Sequence, residues 1–208
     1  MGLILGDHKY PTFKTLNLIT LSNEADFIGR LLSARHKEKA FKELLDLYQE
    51  RLYWHIRKLV VTHENADDVL QNTFLRIYKS LAKFKQNSSL HTWMYKIAYN
   101  ESLRFLEKKK KKHYISTDDI SDKYLNSLEE DAYFDGDEIQ LKLQQVLSQL
   151  PERERQIFQM KYYDDLKFRE ISDILEIKEG TIKSSYYNSA RYIEKKMITV
   201  ELLVKTKV

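Results

Sequence analysis

The chain has 208 residues, 42% of them hydrophobic and 32% charged, with a formal net charge of +4. This is a soluble globular composition with room for one or two small cores, and the mild charge leaves any nucleic-acid footprint to local clustering. Cysteine is absent, which excludes disulfides, Cys-ligated zinc and thiol catalysis and fits a reducing cytoplasm. No apolar run approaches the ~20 residues of a membrane span, so no direct membrane insertion is expected. The opening MGLILGDHKYPTFKTLNLITL is interrupted by Asp7, His8, Lys9 and Pro11 and does not read as a secretory signal.

Five glycines and two prolines supply little material for tight β-turns, and Leu, Lys, Glu and Ile dominate. The expected fold is therefore all-α: two small helical domains joined by a flexible acidic linker. Residues 1–23 read as a poorly ordered tail. A helical domain is expected over 24–112, a linker over 113–137, a second domain over 138–197 and a C-terminal tail over 198–208.

The first domain reads as three main helices. Phe41, Leu44, Leu45, Tyr48, Leu52, Ile56, Leu59 and Val60 follow the 3-and-4 spacing of an amphipathic helix. After the polar break THENAD, Asp67 and Asp68 open a second helix carrying Val69, Leu70, Phe74, Ile77, Tyr78 and Leu81; acids suit a helix N-terminus. Its outer face is acidic and amide-rich. A polar loop, Phe84 to Ser89, offers amides and hydroxyls able to hydrogen-bond the edge of an extruded base, although such loops are also common without a function.

The third helix, from Leu90 into the run Lys108–Lys112, has Leu90, Trp93, Met94, Ile97 and Ala98 on its apolar side. Lys96, Asn100 and Arg104 recur every four residues on one face, flanked by Tyr95 and Tyr99. Cations interleaved with aromatics suit a nucleic-acid backbone and unstacked bases; a solvated helix with core aromatics fits the same pattern.

Acidic residues crowd 118–138 with few aliphatics between them, the composition of a linker. Leu141 to Leu150 form the next helix, and Pro151 is at home in the first turn of PERERQIFQMKYY. Residues 166–193 then read as two short helices joined by a tight turn. Ile171, Ile174 and Leu175 line one inner stripe; Ile182, Tyr186, Ser189, Ala190 and Ile193 line the other, with Ile177 in the turn. Thr181, Lys183, Ser184, Tyr187, Asn188 and Arg191 are left facing outward, with two cations and no acid. A helix-turn-helix offers such a face to the DNA major groove; a structural hairpin would leave it merely solvated.

No catalytic set emerges. No two of the six histidines lie three or four residues apart on one helix, and there is no glycine-rich phosphate loop or nucleophile elbow. No cofactor, metal site or enzymatic activity is expected.

The order of these parts resembles the extracytoplasmic-function group of the bacterial sigma-70 family. The resemblance rests on ADDVLQNTFLRIYKSL, the block FKQNSSLHTWMYKIAYNESL, LPERERQIFQMKYY and EISDILEIKEGTIKSSYYNSA. It implies a cytoplasmic transcription initiation factor that binds core RNA polymerase and promoter DNA. Asp68, Gln71, Asn72 and Phe74 would dock on the clamp coiled coil of the largest polymerase subunit. Asn87, Ser88, Trp93, Lys96, Asn100 and Arg104 would recognise and open the −10 element, and the outward face of the second hairpin helix would read the −35 element. A cognate anti-sigma factor is a further implied partner. The sequence departs from the family at Asn72, where many members have an acid, and at Ser185, where many have Arg. Asn188, Ser189 and Ala190 replace an Arg-rich stretch, and Lys178 replaces a capping Ser. The alternatives are a free-standing helix-turn-helix regulator and a helical protein adaptor. The Thr92-Trp93 block with its polar loop is the discriminating feature, since a simple regulator does not need it.

Overall fold

The computed structural model describes residues 21–113 and 138–205, and among them every regular element is a helix. In chain order these are α1 (Leu21–Leu32), α2 (Lys37–Val60), α3 (His63–Ser80), a 3₁₀ turn (Leu81–Lys83), α4 (Leu90–His113), α5 (Glu138–Ser148), α6 (Glu152–Tyr162), α7 (Phe168–Leu175) and α8 (Glu179–Lys205). Of the tail expected over residues 1–23, Leu21, Ser22 and Asn23 instead open α1, and His113, expected in the linker, closes α4; residues 1–20 and 114–137 lie outside the described residues.

Helix α2 is the spine of the first unit. Ala40, Leu44, Tyr48, Leu52, Ile56 and Val60 recur every four residues and are all buried. The helix stops at Val61, whose φ of 77° breaks the helical path, and Thr62 caps α3 by accepting from the Asn65 backbone N–H at 3.3 Å. So α3 begins one turn before the Asp67–Asp68 start read from the sequence, and those acids fall in its second turn. Helix α1, which the sequence reading missed, buries Phe27, Ile28 and Leu31 against α2. Its Glu24 carboxylate also accepts from the Leu90 backbone N–H at 2.6 Å. With Ser89 accepting from Thr92 N–H at 3.1 Å, it satisfies the first turn of α4.

The second unit, α5 to α8, has a small core of its own: Val146, Leu147, Leu150, Phe158 and Ile193. Its other buried apolar residues, Ile157, Met160, Leu166, Ile171, Ile174 and Ile182, continue the cluster built on α2 and α4. The two units are therefore docked, α7 on α4 and α6 on α2, and share apolar core. Burial of each such Leu or Ile is worth roughly 1.5–3 kcal/mol, so this joint is a substantial contact. Helix α8 runs to Lys205, past the boundary at 197 expected from the sequence.

Candidate nucleic-acid and polymerase interfaces

The helix-turn-helix is built by α7 and α8. Glu170 accepts from the Lys167 backbone N–H at 2.8 Å and so closes the first turn of α7. Helix α7 ends at Glu176, which takes a left-handed conformation (φ 58°, ψ 39°) that turns the chain toward α8. Ser172 fastens that turn: its hydroxyl donates to the Ile177 carbonyl at 2.5 Å, and its own carbonyl accepts from Ile177 N–H at 3.2 Å. Ile171, Ile174 and Ile182 fill the angle between the helices, with Leu175, Ile177 and Tyr186 half-buried around them.

The outward face of α8 is as the helical spacing requires. Thr181, Lys183, Ser184, Tyr187, Asn188 and Arg191 are all exposed, Tyr187 by 55%. Several of its polar groups pair along the helix itself. Arg191 Nη2 donates to Asn188 Oδ1 at 2.8 Å, and Ser184 Oγ donates to the Gly180 carbonyl at 3.0 Å. Lys183 pairs with Glu179 at 2.7 Å. On the inner side the Ser189 hydroxyl is fully buried and has no hydrogen-bond partner.

On α4 the correspondence is partial. Lys96 lies half-exposed at the surface, Asn100 is half-buried, and Arg104 is exposed and paired with Glu101 at 2.6 Å. Glu101 also takes Arg76 of α3 at 2.5 Å. Trp93 is half-buried and stacks at a tilt on Phe84, ring centroids 4.9 Å apart. Asn87 is exposed and Ser88 half-buried, in a loop whose Gln86 has a positive φ of 56°.

Tyr95 and Tyr99 are a correction. Both are buried, because α4 is covered on one side by α2 and α3 and on another by α7. Tyr95 packs between the rings of His55 and His91, and Tyr99 donates to Gln156 of α6 at 3.2 Å. Burial pushes both phenols above their ordinary titration range. Neither ring is placed to stack on a base. The neighbouring His91 imidazole is pushed down to about 4, chiefly by burial, and its Nδ1 has no partner.

On α3, Asp68, Gln71 and Asn72 are exposed on one face, with Asn72 Nδ2 donating to the Asp68 carbonyl at 2.8 Å. Phe74 is the second correction: it is only 8% exposed and packs edge-on to Phe41. Helical spacing puts Leu75, not Phe74, beside Gln71 and Asn72, and Leu75 is 52% exposed. Tyr78 is exposed next to it. An exposed apolar side chain next to the amides of Gln71 and Asn72, two turns on from Asp68, is the signal the sequence reading passed over. Such a patch suits a protein partner better than a phosphate backbone.

Among the described residues no group of acids and histidines is placed to hold a metal, and no helix is long and apolar enough to cross a membrane.

Comparison with known proteins gives these faces a context. The family profile described as sigma-70 region 2 matches residues 44–112, and the one described as sigma-70 region 4 matches residues 140–191, together more than half of the chain. The chain is 28% identical over 169 residues to the ECF RNA polymerase sigma factor SigW of Bacillus subtilis, spanning 77% of this chain and 90% of that protein. It is 24% identical over 194 residues to the RNA polymerase sigma-H factor of Pseudomonas aeruginosa, spanning 86% and 95%. Its fold is similar to that of the sigma factor RpoE of Bartonella quintana, solved in complex with the anti-sigma factor NepR. That likeness has a TM-score of 0.59 at 18% identity, over 76% of this chain and 97% of the other.

Proposed function

The chain belongs to the sigma-70 family, in its extracytoplasmic-function group, and is an RNA polymerase sigma factor; from that premise we propose how its surfaces divide the work. The observation that carries the reading is the presence of both region 2 and region 4, in order, in one chain. A free-standing regulator would need only the hairpin of α7 and α8.

In this proposal residues 24–112 form the unit that docks on polymerase and takes the −10 element, and 138–197 form the unit that takes the −35 element. Residues 113–137 join them, and 1–23 and 198–208 are terminal extensions, with α1 and α8 reaching into both. Asp68, Gln71 and Asn72, joined by Leu75 and supported from beneath by Phe74, present the face for the clamp coiled coil of the largest polymerase subunit. Asn87 and Ser88 hold an extruded base, Trp93 backs the loop, and Lys96, Asn100 and Arg104 run along the strand. Lys108, Lys110 and Lys111, all exposed, extend that basic track. Thr181, Ser184, Tyr187 and Asn188 meet base edges in the −35 major groove, and Lys183 and Arg191 meet phosphates.

The chain selects and opens the promoter, and the polymerase performs the chemistry. Its modest phosphate-facing charge means that free DNA binding is weak and steeply salt-dependent, with specificity arising in the holoenzyme. Control is by a partner of the anti-sigma type, which competes with polymerase for these faces. The test is reconstitution. Core polymerase with this chain should yield a promoter-dependent transcript that core polymerase alone does not, and tight sequence-specific DNA binding by the free chain at physiological salt would contradict the proposal.

A further inference from the structure

The polar loop and the first turn of α4 are held by α1, a helix that lies outside both family profiles. Its Glu24 reaches 66 residues along the chain, where Oε1 accepts from the Leu90 backbone N–H at 2.6 Å. Leu90 is only 1% exposed, so its amide depends on a partner from the protein. A carboxylate on the first N–H of a helix is favoured twice, by the charge on the acceptor and by the helix dipole. Later donors of this turn are met locally. Ser89 Oγ accepts from Thr92 N–H at 3.1 Å, and the Ser89 carbonyl accepts from Trp93 N–H at 3.0 Å. Glu24 supplies from another helix what Ser89 supplies from within.

The same helix reaches the other end of the loop. It packs on the 3₁₀ turn Leu81–Lys83, and its Phe27, Ile28 and Leu31 share one apolar cluster with Leu81, Phe84 and Leu90. Phe84 N–H donates to the Leu81 carbonyl at 3.0 Å, and the Phe84 ring meets Trp93, one turn into α4, with centroids 4.9 Å apart. Between these anchors Lys85, Gln86 and Asn87 stand exposed, and Gln86 turns the chain with a φ of 56°. The loop is a short span between two fixed ends, and Glu24 fixes the end that also carries Trp93.

We infer that Glu24 is a positioning residue for promoter opening: it fixes the first turn of α4 and so holds the Phe84–Ser89 loop in the shape that receives the extruded base. The inference rests on the proposed role of Asn87 and Ser88. Extruding a base has an unstacking and unpairing cost that contacts in the loop must offset. A preshaped loop makes those contacts without first being ordered, whereas a loop with one frayed end has to be ordered as the base arrives. Glu24 touches neither DNA nor polymerase here; it acts through Leu90, Ser89 and Trp93. Its removal leaves the outward faces of α3 and α8 as they are.

The test uses the full chain with core polymerase on one promoter, supplied either as duplex or with the −10 element already unpaired. Glu24→Ala should slow transcription of the duplex on the order of tenfold, the scale of a positioning defect. On the unpaired template it should recover to within about twofold of the parent, because the unpairing cost is gone. A fluorescent purine analogue at the extruded position should brighten correspondingly slowly with this variant. Glu24→Gln keeps an oxygen able to accept the Leu90 N–H and should retain most of the duplex activity. Affinity for core polymerase and preference at −35 should match the parent in both variants, with folding checked by circular dichroism. Equal losses on the two templates, as a general weakening of the fold would give, or a Glu24→Gln as defective as Glu24→Ala, would overturn the inference. Asn87→Ala runs beside them. If it too lacks a duplex-specific defect, the functional reading of the loop falls and the role of Glu24 with it; such a defect in Asn87→Ala alone rejects Glu24 only.

Discussion

Asp164 places Oδ2 2.6 Å from Nδ1 of His55, 109 residues earlier in the chain. A carboxylate only accepts, so the imidazole carries its proton on Nδ1, and its buried Nε2 is left without a partner. Burial alone would raise the Asp164 carboxyl, but the Lys58 ammonium and the His55 ring outweigh it and hold the group below the usual carboxylate range. This one acid joins two side chains of α2 to the segment between α6 and α7, and it is buried where the Lys96–Glu176 pair is exposed.

Asp164→Asn should accordingly destabilise the chain by roughly 3 kcal/mol at pH 7, the low end of the range for breaking a buried ion pair, because Lys58 is partly solvated. The lowered carboxyl means that its contribution is complete above the ordinary value near ~3.9 and is lost only as pH falls below about 4. Urea unfolding at pH 7 and in acid checks both statements. An unchanged midpoint at pH 7 would show that the pair contributes nothing.

His91 governs a different window. Its folded value of about 4 lies below the usual ~6.5, so the unfolded chain binds more protons between the two, and stability rises with pH across that range. Between pH 5 and pH 7 the gain should be on the order of 2 kcal/mol at ~1.4 kcal/mol per unit. His91→Phe, which keeps an aromatic ring beside Tyr48 and Tyr95, should flatten the profile there. A profile just as steep in the variant would assign the proton to another group.

Ser189→Ala removes a buried hydroxyl that has no partner from the inner side of the recognition helix. It should raise stability by about 1 kcal/mol, read as a higher melting temperature, without altering −35 preference. A lower melting temperature would mean that the hydroxyl is bonded in solution.

Asn188→Ala should relax base preference at one −35 position, costing on the order of 1–3 kcal/mol at the preferred base if it makes a good base contact. Arg191→Ala should weaken all sequences about equally, and should also release the Asn188 amide oxygen it holds at 2.8 Å. A randomised −35 library transcribed with each variant separates the two. An identical preference profile for Asn188→Ala and the parent removes Asn188 as a reader.

Leu75→Glu should weaken association with core polymerase tenfold or more while leaving thermal unfolding unchanged, because the side chain is exposed and supports no core. Co-elution with core polymerase measures it. Retained binding would move the docking face off α3.

The helix-turn-helix was legible because its inner stripe is local: Ile171, Ile174 and Ile182 are spaced by helical geometry, and the outward residues follow by elimination. The same reasoning failed on α4. Tyr95 and Tyr99 look like surface aromatics when only one buried side is assumed, but this helix is covered on two. The second cover comes from α7, some 80 residues later, through pairs such as Thr92 with Glu170 and Lys96 with Glu176. Periodicity within a helix carries no information about such a partner. Phe74 and Leu75 show the finer failure: adjacent residues on a helix differ by about 100° in direction, enough to exchange a core position for an exposed one.

The most direct measurement is transcription of a promoter library randomised upstream of the start site, by core polymerase with and without this chain, followed by sequencing of the transcripts. Addition of the chain should enrich templates carrying two sequence blocks, one near −35 and one near −10. A transcript population identical to that of core polymerase alone would contradict the account, and enrichment of a single block would return the chain to the class of free-standing regulators.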